Sequence, residues 1–183
     1  LGRNPALAGD QIYNGANDNA AGVAQLLEMA RGFATLEIRP RRSILFIATT
    51  AEESGFLGAK YYVANPLVPL DRTVAAFNLD AGNLFGVTRD LASAGYGNST
   101  LDEVLGRAAG LQGRKFVTES LDGDGSYYFA SDQIAFARAG VPAVFPWSGS
   151  EYVGKPPGFG DQAWGDYGEH RYHQVSDGLM PNW

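Results

Sequence analysis

Apolar residues follow two rhythms along this chain. Over residues 19–34 they fall at Ala20, Val23, Ala24, Leu27 and Ala30, the spacing of one helix face, and Asp18 stands where a capping or first-turn acid belongs. Pro40 breaks the chain. Residues 43–49 (SILFIAT) then form a continuous apolar run, which predicts a strand buried on both faces. Residues 56–64 predict a short helix closed by Asn65-Pro66. Residues 74–79 (VAAFNL) predict a second buried strand and residues 91–95 a third. An amphipathic helix is expected over 99–109 behind Ser99, another over 131–139 ended by Gly140, and a short strand over 142–145. Strands alternating with helices predict an α/β fold with a mostly parallel sheet and helices on both faces. Ligands in such sheets bind beyond the carboxyl ends of the strands, so the polar residues that follow each strand carry the chemistry.

The pattern dissolves after Val144. Seven of the 28 residues in 145–172 are aromatic: Phe145, Trp147, Tyr152, Phe159, Trp164, Tyr167 and Tyr172, with Gly and Pro between them. This reads as one long loop. Long loops are usually functional, and lining a pocket is preferred here over packing as a stabilising lid.

Length and composition narrow the classes. The chain has 183 residues, 45% of them apolar and 19% charged, which suits a single globular domain. No apolar run approaches the ~20 residues of a membrane span. The net charge of −6 offers no basic face for nucleic acid. There is no Cys and there are only two His, so disulfides and thiolate metal sites are excluded and a metal must rest mainly on carboxylates. The chain begins at Leu1 with no initiator Met and no targeting pattern, so it is expected to be a fragment of a longer protein.

Those carboxylates stand where the strands end. The run 43–50 is followed by Ala51-Glu52-Glu53, and residues 74–79 by Asp80. Asp18, at the start of a helix, is a candidate for the same sheet edge. Each has an ordinary reading alone: Asp18 as a helix cap, Asp80 as the start of a turn, Glu52 and Glu53 as solvated surface. Gathered together they would repel at ~4 kcal/mol per close pair at moderate dielectric, unless a cation neutralised them. Two carboxylates with an imidazole favour zinc or a similar divalent ion. The histidines, His170 and His173, are spaced i, i+3, and spacing alone does not choose between them. Adjacent Glu52 and Glu53 can share one site only if the chain turns there, which Ser54-Gly55 permits. Asp122-Gly123-Asp124-Gly125 reads as a plain turn, because the glutamate that closes a calcium loop is absent.

Five segments carry a family resemblance. Residues 9–22 (GDQIYNGANDNAAG) are similar to a G-A-x-D-N-A-x-G motif. Arg42-Ser43-Ile44 with Thr50-Ala51-Glu52-Glu53-Ser54-Gly55 is similar to R-S-I…A-E-E-x-G. Asn78-Leu79-Asp80 is similar to N-x-D. Ser131-Asp132 with Phe136 and Ala139-Gly140-Val141-Pro142 is similar to S-D-x-x-x-F-x-x-A-G-V-P, and Tyr172-His173-Gln174 with Ser176-Asp177 to Y-H-x-x-x-D. In this order, over residues 9–178, they resemble the aminopeptidase branch of the M28 family of zinc-dependent peptidases.

The resemblance implies a three-layer α/β/α fold of the zinc-exopeptidase type and removal of N-terminal residues from peptides. It implies that Asp18 bridges two zinc ions, that Glu53 and His173 complete the first site, and that Asp80 belongs to the second. Glu52 is then the general base, and Tyr172 hydrogen-bonds the substrate carbonyl oxygen as it becomes an oxyanion. Relatives of this kind are exported, so a secreted or periplasmic location is expected. Two departures stand out. The family takes a further ligand from an upstream His-x-Asp segment, which this chain does not contain, so the domain is expected to lack N-terminal strands and to hold one ion or none as given. Gln133 stands where many relatives carry His. The alternatives are a single-zinc enzyme like the glutaminyl cyclases, for which Asp18, Glu53 and His173 would suffice, and a truncated binding domain without catalysis. Retention of Glu52, which binds no metal in the family scheme, argues against the latter.

Overall fold

The computed structural model describes residues 2–118 and 126–179. The run Ala143–Ser148 is β4, and its first three side chains, Ala143, Val144 and Phe145, are buried. An inward apolar strand of this kind takes partners on both edges, and β4 does. It pairs in parallel with β1 (Ala76–Phe77), Ala76 opposite Ala143, and antiparallel with β2 (Asp90–Ala94), Ala94 opposite Phe145. β2 in turn pairs in parallel with β3 (Lys115–Phe116), giving the order β1-β4-β2-β3. Two of the three pairings are parallel, so the sheet is mostly parallel and the fold is mixed α/β.

Two helices, α3 (Leu101–Leu111) and α4 (Gln133–Arg138), pack directly on this sheet. Helix α1 (Gly22–Ala34) follows a wide π-type turn at Ala16–Ala21. Helix α2 (Leu57–Ala64) packs on α4 (Gln133–Arg138), and α4 lies against β4. Helix α3 (Leu101–Leu111) packs on β3 and β2. The core gathers Ala92, Ala94, Leu105, Ala109, Ile134 and Val144 between these elements. Gly140, at φ 82°, ends α4 in the left-handed conformation that glycine adopts without steric cost. Among the described residues no helix is long and apolar enough to cross a membrane.

Two expectations are corrected. Residues 43–49 join no ladder among the described residues, and Ile44 and Leu45 remain 44% and 48% exposed. An apolar run records a tendency to be covered, and strand hydrogen bonds also need neighbours on the edges. The tract 145–172 is not one loop either. Its first residues extend β4, and Phe159–His170 form helix α5. All five aromatic side chains from Trp147 to Tyr167 meet Phe85 or one another: Trp164 lies 5.3 Å from Phe85, 5.4 Å from Trp147 and 5.8 Å from Tyr167, and Tyr152 lies 5.5 Å from Phe159. Packing supplies what a glycine-interrupted helix lacks in intrinsic propensity. Residues 122–125, read as a turn, lie outside the described residues.

Candidate metal centre

Asp18 is placed by a loop of backbone donors. Gly15 sits at φ 61°, and a Cβ there would lie 2.4 Å from the Asp18 carbonyl oxygen, so only glycine fits. The Asn17 and Asp18 amides donate to the two oxygens of Asp177, each at 3.0 Å, and the Ala16 amide donates to its carbonyl. Tyr167 adds a hydroxyl donor to Asp177 at 3.2 Å. Asp177 is buried and acts as the staple of this loop. Two asparagines then tie the loop to the chain around Asp80. Asn17 accepts from the Gly82 amide at 2.9 Å. Asn19 accepts from the Ala81 amide at 3.0 Å and donates to the Leu79 carbonyl at 3.2 Å. Asp18 and Asp80, far apart in the chain, are thereby brought side by side.

Asp80 follows β1, as the strand-end argument required. One of its oxygens accepts from the Ser131 hydroxyl. Asn78 donates to Ser131 at 2.8 Å and to Gln133 at 2.7 Å, and Gln133 donates to the Tyr128 carbonyl at 2.8 Å. Gln133 is fully buried and carries this relay.

The turn at Glu52–Ser54 brings the two adjacent glutamates to one cavity. Ala51 enters it at φ 56° and Gly55 leaves it at φ 90°. His173, itself at φ 58°, sets Nε2 2.9 Å from Glu53 Oε1 and 3.2 Å from Asp18 Oδ2. His170 points elsewhere, its Nδ1 3.3 Å from the exposed Asp166 carboxylate. Geometry thus separates the two histidines that spacing left equal. The ring of Tyr172 stacks on His173 at 3.8 Å.

Asp18, Glu52, Glu53, Asp80 and His173 line one cavity of about 440 Å³, together with Asp132. Burial, then the charges of Asp80 and Glu53, push the Asp18 carboxyl up to about 6. Burial, then Asp80 and Glu53, push Glu52 up to about 8. Burial likewise raises Asp80 and Asp132. The Tyr172 hydroxyl is pushed up to about 12 by burial and by the Asp18 and Glu53 charges. Asp132 caps no helix: one oxygen accepts from Thr49, and the other is buried without a partner. Such crowding of acids is the condition a cation relieves. Ligand atoms of Asp18, Glu53 and His173 all lie within 4.8 Å of one another. Two carboxylates and one imidazole at this spacing fit a zinc ion. Sequence reasoning placed Asp177 and Gln133 in motifs without seeing their work, because their partners lie up to 160 residues away.

An α/β chain that gathers these acids and one imidazole around one cavity has the donor set of a metal centre. The sequence profile of peptidase family M28 matches residues 4–183, and this chain belongs to that family. It is 37% identical over 146 residues, 75% of its length, to the aminopeptidase YwaD of Bacillus subtilis (strain 168). Among solved structures it is similar to an aminopeptidase from Aneurinibacillus sp. strain AM-1, with 29% identity over 79% of the chain and a TM-score of 0.55. It shares its fold with a zinc aminopeptidase from Bacillus subtilis, with 24% identity over 92% of the chain and a TM-score of 0.54. The chain spans 30%, 32% and 46% of these proteins respectively.

Proposed function

We propose that this chain carries the catalytic centre of a zinc aminopeptidase that removes N-terminal residues from peptides. The observation that carries the reading is the convergence of Asp18, Glu53 and His173, with Glu52 and Asp80 on the same cavity. Asp18, Glu53 and His173 would hold one zinc ion, and Asp18 with Asp80 would contribute to a second. When bound, zinc supplies a Lewis acid that lowers the pKa of water toward ~7.

Glu52 does the proton work. It lines the same cavity as the ligands without being one of them in this scheme, so it can accept a proton from water and return it to the departing amine. Tyr172 keeps its proton throughout this range and can donate to the substrate carbonyl oxygen as negative charge develops there. The surrounding carboxylates favour the free ammonium of a peptide, which restricts cleavage to the first residue.

The test is Glu52→Gln in the full-length protein, assayed on aminoacyl-nitroanilides with zinc measured in parallel. Zinc content is expected to stay constant while kcat/KM falls at least about a hundredfold, the usual cost of losing a general base. A wild-type rate in this variant would overturn the mechanism.

A further inference from the structure

A second cavity of about 200 Å³ adjoins the first, and Leu79 and Asp80 line both. Trp147 and Trp164 are among its walls, their rings 5.4 Å apart. Helix α5 carries Trp164 and, one turn further on, Tyr167. The buried residues of this helix are Gly160 and Tyr167, seven apart and so on one face. A Cβ on Gly160 would lie 2.4 Å from the Ser150 carbonyl oxygen, so this face is pressed against the chain that leaves β4.

Tyr167 works in three directions from this seat. Its hydroxyl donates at 3.2 Å to Asp177 Oδ2, the oxygen that also accepts from the Asp18 amide at 3.0 Å. Its carbonyl accepts from the amides of Arg171 and Tyr172, each at 2.9 Å, and so fixes the backbone where the helix ends. Its ring lies 5.8 Å from Trp164 on one side and 6.2 Å from Tyr172 on the other, and Tyr172 stacks on His173. Asp177 is buried, and among the described residues no cation lies within ion-pair distance of it. Its side chain is held by the Asn17 and Asp18 amides and the Tyr167 hydroxyl. Burial and the charges of Asp177 and Asp18 push that hydroxyl up, so it keeps its proton and donates.

We propose that Tyr167 is a positioning residue for the metal centre. Through Asp177 it holds the loop that carries Asp18, and through its ring and carbonyl it holds Tyr172 and His173, so one residue sets the two sides of the site against each other. Tyr167 lines neither cavity and acts through these neighbours. The inference rests on the zinc aminopeptidase reading and adds the residue that aligns the site.

The experiment measures zinc affinity by chelator competition, and kinetics on an aminoacyl-nitroanilide at saturating zinc, in the full-length protein. Tyr167→Phe keeps the ring and loses the hydroxyl, and its zinc affinity is expected to fall about tenfold, as for other partners that orient a ligand. Tyr167→Leu loses the ring as well. Tyr172 is then misplaced, and kcat at saturating zinc falls about tenfold below that of Tyr167→Phe, with KM changed less. Because the hydroxyl acts through Asp177, the double variant Tyr167→Phe/Asp177→Asn is expected to lose about as much zinc affinity as Asp177→Asn alone. Wild-type zinc affinity in Tyr167→Phe, or losses that multiply in the double variant, overturns the inference. A lowered Tm with zinc affinity unchanged marks packing alone and overturns it too. Tyr167→Phe removes a single oxygen, so its result stands even where Tyr167→Leu fails to fold. Zinc binding without cleavage by the wild type overturns the aminopeptidase reading and leaves the affinity series to decide the role of Tyr167. A wild type that binds no zinc overturns both.

Discussion

The two cavities meet at Asp80 and are built by opposite means. The first crowds six acidic residues, Asp18, Glu52, Glu53, Asp80, Asp132 and Asp177, around one space and holds its loops with amide and backbone hydrogen bonds, Asp177 and Asn19 foremost. The second is walled by indole rings that hold each other by contact, with a single cation on its wall. Like charges packed together raise their own pKa values until a counter-ion arrives, so the first is a site of chemistry. Indole and other apolar walls, with Gln25, Asn83, Ser148, Arg114 and Asp80 among them, suit the second to binding rather than to proton chemistry. A difference of this kind predicts that damage to the first abolishes turnover and damage to the second weakens binding.

The largest effect is expected from His173→Ala. Removal of the imidazole is predicted to weaken zinc binding by on the order of a hundredfold or more, and activity falls with it, whereas His170→Ala leaves both within about twofold. Zinc content and kinetics measured side by side check this, and equal behaviour of the two variants would erase the distinction the geometry draws.

Next in size is Asp177→Asn, which takes an acceptor from the Asn17 and Asp18 amides and leaves the ligating side chains themselves in place. Zinc affinity, measured by chelator competition, is expected to fall about 10- to 100-fold with the fold intact by circular dichroism.

A third prediction concerns pH. Asp18 and Glu52 are held at about 6 and about 8, above the usual carboxyl values. Between those ordinary values and about 8, the metal-free native state keeps protons that the unfolded chain has released, so its stability falls as pH rises through this window. Zinc displaces those protons, so the rise in Tm on adding zinc is expected to be larger at pH 8 than at pH 5.5. A pH-independent Tm of the metal-free protein would contradict this assignment of burial and charge.

The smallest effect belongs to the second cavity. Trp164→Leu shortens one wall and is expected to raise KM about tenfold, the lower end of the ~10–200-fold range for apolar pocket changes, with zinc content unchanged.

The chemistry of the first cavity was legible in part because a strand end announces Asp80. Asp80 follows β1 as expected, and the turn demanded by adjacent Glu52 and Glu53 exists, entered by Ala51 and left by Gly55 in left-handed conformations. The choice of His173 over His170 was not legible from spacing, because His173 lies on irregular backbone where no periodicity applies. The α/β class followed from the alternation of strands and helices, but the run 43–49 told only that its faces want cover and nothing about its edges. Helix α5 was hidden by Gly160, Gly165 and Gly168, since the aromatic contacts that stabilise it come from residues as distant as Phe85. The second cavity left no trace in the sequence. Its walls come from six separate stretches of chain, and a lone arginine between α3 and β3 reads as surface until its neighbours are in place.

Zinc-edge anomalous diffraction from crystals of the zinc-loaded full-length protein tests the central claim most directly. The account predicts a peak about 2.0–2.2 Å from oxygens of Asp18 and Glu53 and from His173 Nε2. A fully loaded crystal with its only zinc peaks elsewhere, and these three side chains free of metal, would contradict it.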